Sequence, residues 1–349
     1  MLVLGIESTC DETGVAIIED GYRIRANVVN SQVPLHERFG GVVPEIASRA
    51  HTEVITRLIE RALKEAGLEC GPKPPVDLIA VAHRPGLIGA LLVGVTAAKS
   101  LALAWDIPLI GVDHVHAHIY SVILQSEEPD EPPQESDFFP AVSLVVSGGH
   151  TSLYFSRNAI EHSLIGTTTD DAAGEAFDKV AALLGLGYPG GPAISRAAAD
   201  GDRKSTRFPR TLLGNDSLDF SFSGLKTAVR YYAKGQDAER TAPLKPGIEV
   251  ADVAAAFEAA VVDVLVEKVR RAVEHEGVER AIVAGGVAAN RHLREQLEHW
   301  ARREHVTLQI PELKFCTDNA AMITALGTRL WQAGRRHDLD LEASTTTTT

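Results

Sequence analysis

The chain has 349 residues, 45% of them hydrophobic, and a formal net charge of −13. That is enough apolar material for two domains with cores of their own, and the acidity leaves only a local basic patch as a route to nucleic acid. Cys10, Cys70 and Cys316 are scattered and odd in number, which excludes a disulfide framework and a CxxC zinc motif and fits a reducing cytosol.

The opening "MLVLGIEST" enters a strand at once and lacks the basic leader of a secretory signal. "LVLGI" and "GVAIIED" read as two strands around the polar loop "ESTCDET", which carries Asp11 and Glu12. These carboxylates either face a cleft or serve turn chemistry and solvation. "RPGLIGALLVG" sets Pro85 and Gly86 at a helix start, and the apolar run stops at Lys99, too short to span a bilayer. "PLIGV" reads as a strand ending near Val112, with a helix starting near Asp113, a capping residue. In "DHVHAHIYSVIL" helical spacing puts His114 and His118 on one face and turns His116 away. Two imidazoles at this spacing can bind one metal ion, and a half-buried hydrogen-bonded pair has the same spacing. A protease of the H-E-x-x-H type needs a glutamate base, and Val115 stands in its place.

The acidic, Pro-rich stretch 126–137 predicts a surface loop near a domain boundary. "AVSLVVSGGHTSLYFSR" then repeats the strand, loop, strand plan of the N-terminus. Its "VVSGGHT" turn offers backbone N–H groups to an anion. Asp178 lies on the flank of a helix whose buried stripe is Ala173, Phe177, Val180 and Leu184. "DRKSTRFPR" gathers Arg203, Lys204, Arg207 and Arg210, and 234–247 is a further loop. A long helix follows, with Val253, Phe257, Val261 and Leu265 as its stripe and Gly277 as its C-terminal cap. "RAIVAGG" is a buried strand, and "AGGVAAN" leads into a helix whose N-terminus suits a phosphate or a base. That helix carries Arg291, Arg294, Arg302 and Arg303, interleaved with Glu295 and Glu298. Asn290 and, before the last helix, Asp318 stand where caps are expected. The alternation of strands and helices predicts an α/β fold. There is no Walker A motif and no Rossmann GxGxxG after a strand. Three glycine turns with paired hairpins look like the actin, sugar-kinase and Hsp70 architecture, in which a nucleotide lies in a cleft between duplicated domains.

From "GIESTCDETGVAI" through "SQVPLHERFGGVVPEIASRAH", "HVHAH", "LVVSGGHTSL", "DDAAGEAFDKVAALLGLGYPGGP", "DFSFSGLKTAV" and "AGGVAANRHLR" to "FCTDNAAMI", the chain resembles the bacterial TsaD family. These are tRNA N6-adenosine threonylcarbamoyltransferases. The resemblance implies an actin-like fold of two duplicated RNase H-like domains: 1–135, completed by a helix at 318–336, and 136–317. Residues 337–349 are expected to form a disordered tail. It implies transfer of a threonylcarbamoyl group from threonylcarbamoyl-adenylate to the N6 amine of adenosine 37 in tRNAs reading ANN codons, forming t6A and releasing AMP. It implies one divalent metal ion on His114, His118 and Asp318, with Fe(II) favoured over Zn(II) by the two-His, one-carboxylate set. Val145, Val146, Ser147, Gly148 and Gly149 would meet the nucleotide-bearing substrate, Asp178 the ribose, Gly191 the nucleoside and Asn290 the base. Asp11 or Glu12 would take the amine proton. The implied partners are tRNA, a TsaB-like paralogue and a TsaE-like ATPase, in the cytoplasm and without a membrane. Arg84 stands where the family usually has glycine, after His83 where a small residue is usual. Two other readings compete. A kinase or chaperone of the same fold leaves the metal set unexplained, and a metalloprotease leaves the nucleotide turns idle.

Overall fold

The computed structural model describes residues 1–346 except 70, 72, 128, 130, 215, 238, 240 and 241. Cys70 and the end of the expected tail, 347–349, therefore lie outside the described residues. In chain order the elements begin β1 Leu2–Glu7, β2 Glu12–Glu19, β3 Arg23–Ser31, α1 Val33–His36, α2 Pro44–Glu65, β4 Leu78–Arg84, α3 Ile88–Trp105, β5 Leu109–Asp113 and α4 His114–Tyr120. They continue β6 Ala141–Val146, β7 Thr151–Ser156, β8 His162–Thr167, α5 Ala173–Leu184, α6 Gly190–Ala198, α7 Ser223–Ala233 and α8 Val250–Glu276. The last are β9 Arg280–Ala284, α9 Arg291–Glu304, β10 Thr307–Gln309, α10 Leu313–Cys316 and α11 Ala320–Gln332.

Two compact units form: Met1–Phe139 with Arg157–His162 and Pro311–Thr349, and Pro140–Ser156 with Ser163–Ile310. Each holds a five-stranded sheet, ordered β3-β2-β1-β4-β5 in the first and β10-β9-β6-β7-β8 in the second. Read from the other edge, the second order is the first one over again. In both, an antiparallel hairpin (β1 with β2, β6 with β7) is extended by a parallel strand on its inner side (β4, β9). The duplication expected from the two hairpins is thus carried through to strand order.

The first sheet is buried on both faces, as apolar parallel strands require. Leu4, Ile6, Val15 and Ile17 pack with Ile55 and Leu58 of α2 and Val95 and Trp105 of α3. Val3, Ala16, Ala80 and Val112 pack with Met322, Ile323 and Leu326 of α11. Helix α3 runs 18 residues, longer than expected, and is long and apolar enough to cross a membrane by length and composition. Ala90, Leu91, Val95, Ala98 and Trp105 are nonetheless buried in the unit's own core, which is why its apolar stripe is so broad.

In the second unit the stripe of α8 is buried, with Val253, Phe257, Val261 and Leu265 at most 2% exposed. Phe257 meets Phe177 of α5 edge-on at 5.2 Å, a pair worth about 1 kcal/mol beyond its buried area. Gly277 ends the helix in the left-handed conformation at φ 64°.

Candidate metal centre and nucleotide turn

Strand β5 ends at Asp113, whose side chain accepts from the N–H groups of Val115 and His116 and so starts α4. The helical turn then aims His114 and His118 the same way. Their rings lie 4.7 Å apart, edge to face. Asp318 arrives from the other end of the chain, with its Oδ1 3.1 Å from His118 Nε2 and 3.5 Å from His114 Nε2. One ligand atom from each of the three lies within 4.8 Å of the others. Donors around one tetrahedral ion sit about 3.4 Å apart, so the set needs little movement to close on a cation. Asp318 does not cap the last helix. The cap is Asn319, whose side chain accepts from Met322 N–H.

A fourth residue, not singled out in the sequence, completes the arrangement. Glu7, at the end of β1 and fully buried, accepts from His114 Nδ1 at 2.9 Å and from Thr9 N–H at 2.6 Å. That bond fixes the tautomer, leaving Nε2 for a cation, the usual outer support of a metal-binding histidine. Burial pulls the His114 pKa down, but the charges of Glu7 and Asp318 outweigh it and hold the imidazole at about 9. A cation bound here therefore displaces a proton. Burial lowers His118 against its bond to Asp318, so it stands ready as a neutral ligand. Among the described residues its Nδ1 is buried without a hydrogen-bond partner. His116 turns away and rests 4.5 Å from the ring of His162.

Asp11 lies on the loop between β1 and β2, 9% exposed, and Glu12 opens β2. Glu12 accepts from the Ser31 hydroxyl at 3.0 Å. Burial, then the charges of Asp11 and Asp318, push its carboxyl up to about 9. The same burial, helped by Asp11 and Asp318, pushes the Cys10 thiol well up, so it is no thiolate nucleophile.

The second unit holds the nucleotide candidates. Val145 and Val146 end β6 buried, and Ser147 to Gly149 turn into β7. Space is open where a Cβ on Gly148, Gly149 or Gly191 would point. The N-terminus of α5 abuts the turn, with Gly174 N–H donating to Ser147 O at 3.2 Å. Gly285, at φ 97°, lets the β9 turn approach β6 so closely that a Cβ would lie 2.4 Å from Val146 O. Asp178 accepts from Gly190 N–H at 2.7 Å, which sets the start of α6 beside Gly191. Asn290 is held on all sides. Its Oδ1 caps α9 through Leu293 N–H, and its Nδ2 donates to Ser195 Oγ and Glu258 Oε1, both at 2.9 Å. In this conformation it is a cap, as its position before the helix allowed.

The basic clusters are partly spent. Arg203 pairs with Glu258 and Arg210 with Asp263. On α9, Arg291 pairs with Glu295 and Arg303 with Glu304. Lys204, Arg207 and Arg302 are exposed and make no ion pair among the described residues.

A family model described as "TsaD: tRNA N6-adenosine threonylcarbamoyltransferase" matches residues 23–325. A protein named tRNA N6-adenosine threonylcarbamoyltransferase in Symbiobacterium thermophilum is 51% identical over 342 residues, 98% of this chain and 95% of that protein. One of the same name in Bacillus cereus is 50% identical over 346 residues, again 98% and 95%. Among solved structures, full-length HypF in its phosphate- and nucleotide-bound form matches with TM-score 0.60 at 15% identity, over 99% of this chain and 47% of that one. The activator of the 2-hydroxyisocaproyl-CoA dehydratase from Clostridium difficile matches at 0.51 and 14% identity, over 97% and 99%. At such low identities these two speak for the shared, duplicated fold alone.

Proposed function

Because the chain belongs to the TsaD family and is a transferase that places a threonylcarbamoyl group on the N6 amine of a tRNA adenosine, we propose roles for the two sites in that reaction. His114, His118 and Asp318 hold one divalent cation, with Fe(II) favoured and Zn(II) the alternative for two imidazoles and a carboxylate. When bound, the cation supplies Lewis-acid polarisation and a fixed point for an anionic substrate group. The convergence of three ligand atoms within 4.8 Å, with Glu7 behind His114, carries this reading.

The donor is threonylcarbamoyl-adenylate, whose leaving group is AMP. Ser147 to Gly149 offer backbone N–H groups to it beside the N-terminus of α5. Asp178 accepts from the ribose hydroxyls, Gly191 leaves room for the nucleoside, and Asn290 frames the base by fixing the α9 start. The acceptor is adenosine 37 of tRNAs reading ANN codons. Its amine is a weak nucleophile, because its lone pair is delocalised into the purine, and it must shed a proton on attack. Asp11 or Glu12 takes that proton, Asp11 from the loop after β1 and Glu12 from the start of β2. No covalent enzyme intermediate is required.

The chain acts in the cytoplasm with a TsaB-like paralogue and a TsaE-like ATPase. The outer face of α3, with Ile88 48%, Leu92 50% and Leu103 71% exposed, suits a protein partner. The test is transfer from synthesised threonylcarbamoyl-adenylate to unmodified tRNA, with the protein stripped of metal and then reloaded. Transfer that is indifferent to stripping and to His118→Ala removes the cation from the reading.

A further inference from the structure

His83 and Arg84, at the end of β4, are parts of one connected structure. Strands β4 and β5 pair Ala82 with Val112 and then Arg84 with Asp113. His83 is the extra residue, a β-bulge, and bulges re-aim neighbouring side chains. Here the bulge sets Arg84 opposite Asp113, with Nε 3.3 Å from Oδ2. Asp113 is only 4% exposed at its side chain, and its other oxygen accepts from Val115 and His116 N–H at 3.0 and 3.2 Å. The buried Asp113 carboxylate gains a counter-charge from Arg84. The helix it starts is seven residues long and carries two of the three cation ligands.

The bulge is held in turn by the C-terminal segment. Ser344 N–H donates to His83 O at 2.9 Å, and His83 Nδ1 donates to Glu342 O at 2.9 Å. The same segment lies along β5, an edge strand of its sheet. Leu109 bridges His337, and His337 Nδ1 accepts from Gly111 N–H at 3.2 Å. Leu341 is 5% exposed within the core, against Gly111.

We propose that residues 337–346 are a positioning strap for the metal-site helix: they hold the His83 bulge, the bulge aims Arg84, and Arg84 steadies the Asp113 cap from which His114 and His118 project. This rests on the proposed cation site, and its test separates the two. Three variants are compared with the wild type: a stop after Arg336, Arg84→Gly and Arg84→Lys. The readouts are amide hydrogen exchange at Val115 and His116 in the metal-free protein, and Co(II) affinity by chelator competition. The stop and Arg84→Gly should each speed exchange at both amides and weaken Co(II) about ten- to hundredfold, the range for outer-shell partners. Combined, they should cost little more than either alone, and Arg84→Lys should recover most of the loss. Unchanged exchange in Arg84→Gly overturns the strap, as does full additivity. A truncated chain that fails to fold leaves Arg84→Gly to decide. A wild type that binds no Co(II) overturns the cation site, while the exchange rates still judge the strap.

Discussion

Replacing Glu7 by Gln keeps the shape of a buried side chain and removes its charge, and the consequence can be worked through atom by atom. Glu7 accepts from two donors, Thr9 N–H at 2.6 Å and His114 Nδ1 at 2.9 Å. A Gln amide has one acceptor end. Keeping the Thr9 bond turns the amide NH2 toward His114, whose Nδ1 must then accept, and the ring proton moves to Nε2, where it points at the cation. Keeping His114 as donor instead sets the NH2 against Thr9 N–H and leaves a buried donor unpaired, at about 1–3 kcal/mol. Either way the ligand is presented in the wrong form. Glu7→Gln should therefore cut divalent cation affinity about ten- to hundredfold, or about 1.4–2.7 kcal/mol. Without the Glu7 charge, burial should also carry the His114 pKa below its present value near 9. Competition between the protein and a chelator for Zn(II) at neutral pH measures the first, and nitrogen-15 chemical shifts of the ring across a pH series measure the second. Affinity within twofold of wild type, in a variant with an unchanged circular dichroism spectrum, would refute the reasoning.

His116→Ala should retain the cation and His118→Ala should lose it, by elemental analysis, since His116 is turned toward His162. Asp178→Asn keeps an acceptor for Gly190 N–H but removes the charge offered to ribose, so calorimetry should find AMP binding weaker by about 1.5–3 kcal/mol. Replacing Lys204 and Arg207 together by Ala should flatten the slope of log tRNA affinity against log salt by about one to two units. Arg210→Ala should leave that slope alone, because its charge is spent on Asp263. Burial opposes the shift at Asp170, but the hydroxyls of Ser221 and Ser223 and the N–H groups of Phe222 and Ser223 win and lower its carboxyl to about 2. Its contribution to stability is therefore full above the ordinary carboxylate value and lost as pH falls toward 2. Melting temperatures between pH 5 and 2 should show that loss in the wild type and a reduced one in Asp170→Asn.

Local features were legible where one segment determines them. The Asp113 cap, the His114 and His118 face, the α8 stripe and the Gly277 stop all depend on residues within a few positions of each other. Features made by distant segments were not. Asp318 reads as a cap because an aspartate before a helix usually is one, and only the fold brings it to His118 across 200 positions. Glu7 reads as the first residue of the polar loop "ESTCDET", with nothing nearby to say that it is buried. Arg203 and Arg210 read as free cations because Glu258 and Asp263, on α8, take them only in space. The stretch 337–346, with its charges and trailing threonines, carries few signs of packing beyond Leu341, yet it lies along β5.

The duplication also bears on how one topology would carry the two proposed sites. In each unit the parallel strands present their C-terminal ends to the same side of the sheet, where open α/β folds bind ligands. By strand order, β1 corresponds to β6, β4 to β9 and β5 to β10. In the first unit these ends carry side chains: Glu7 closes β1, Arg84 closes β4, and Asp113 closes β5 with the histidines after it. In the second they carry backbone: the Ser147–Gly149 turn after β6 and Gly285 and Gly286 after β9. Carboxylates and imidazoles suit a cation, whereas glycine turns and a helix N-terminus suit a phosphate. Exchanging the two kinds of end would defeat both. A Cβ at Gly285 meets Val146 O at 2.4 Å, and a glycine at 7 would leave His114 buried with no carboxylate to fix its tautomer. The division of labour is thus set at the strand ends, by residues whose neighbours in sequence give little sign of it.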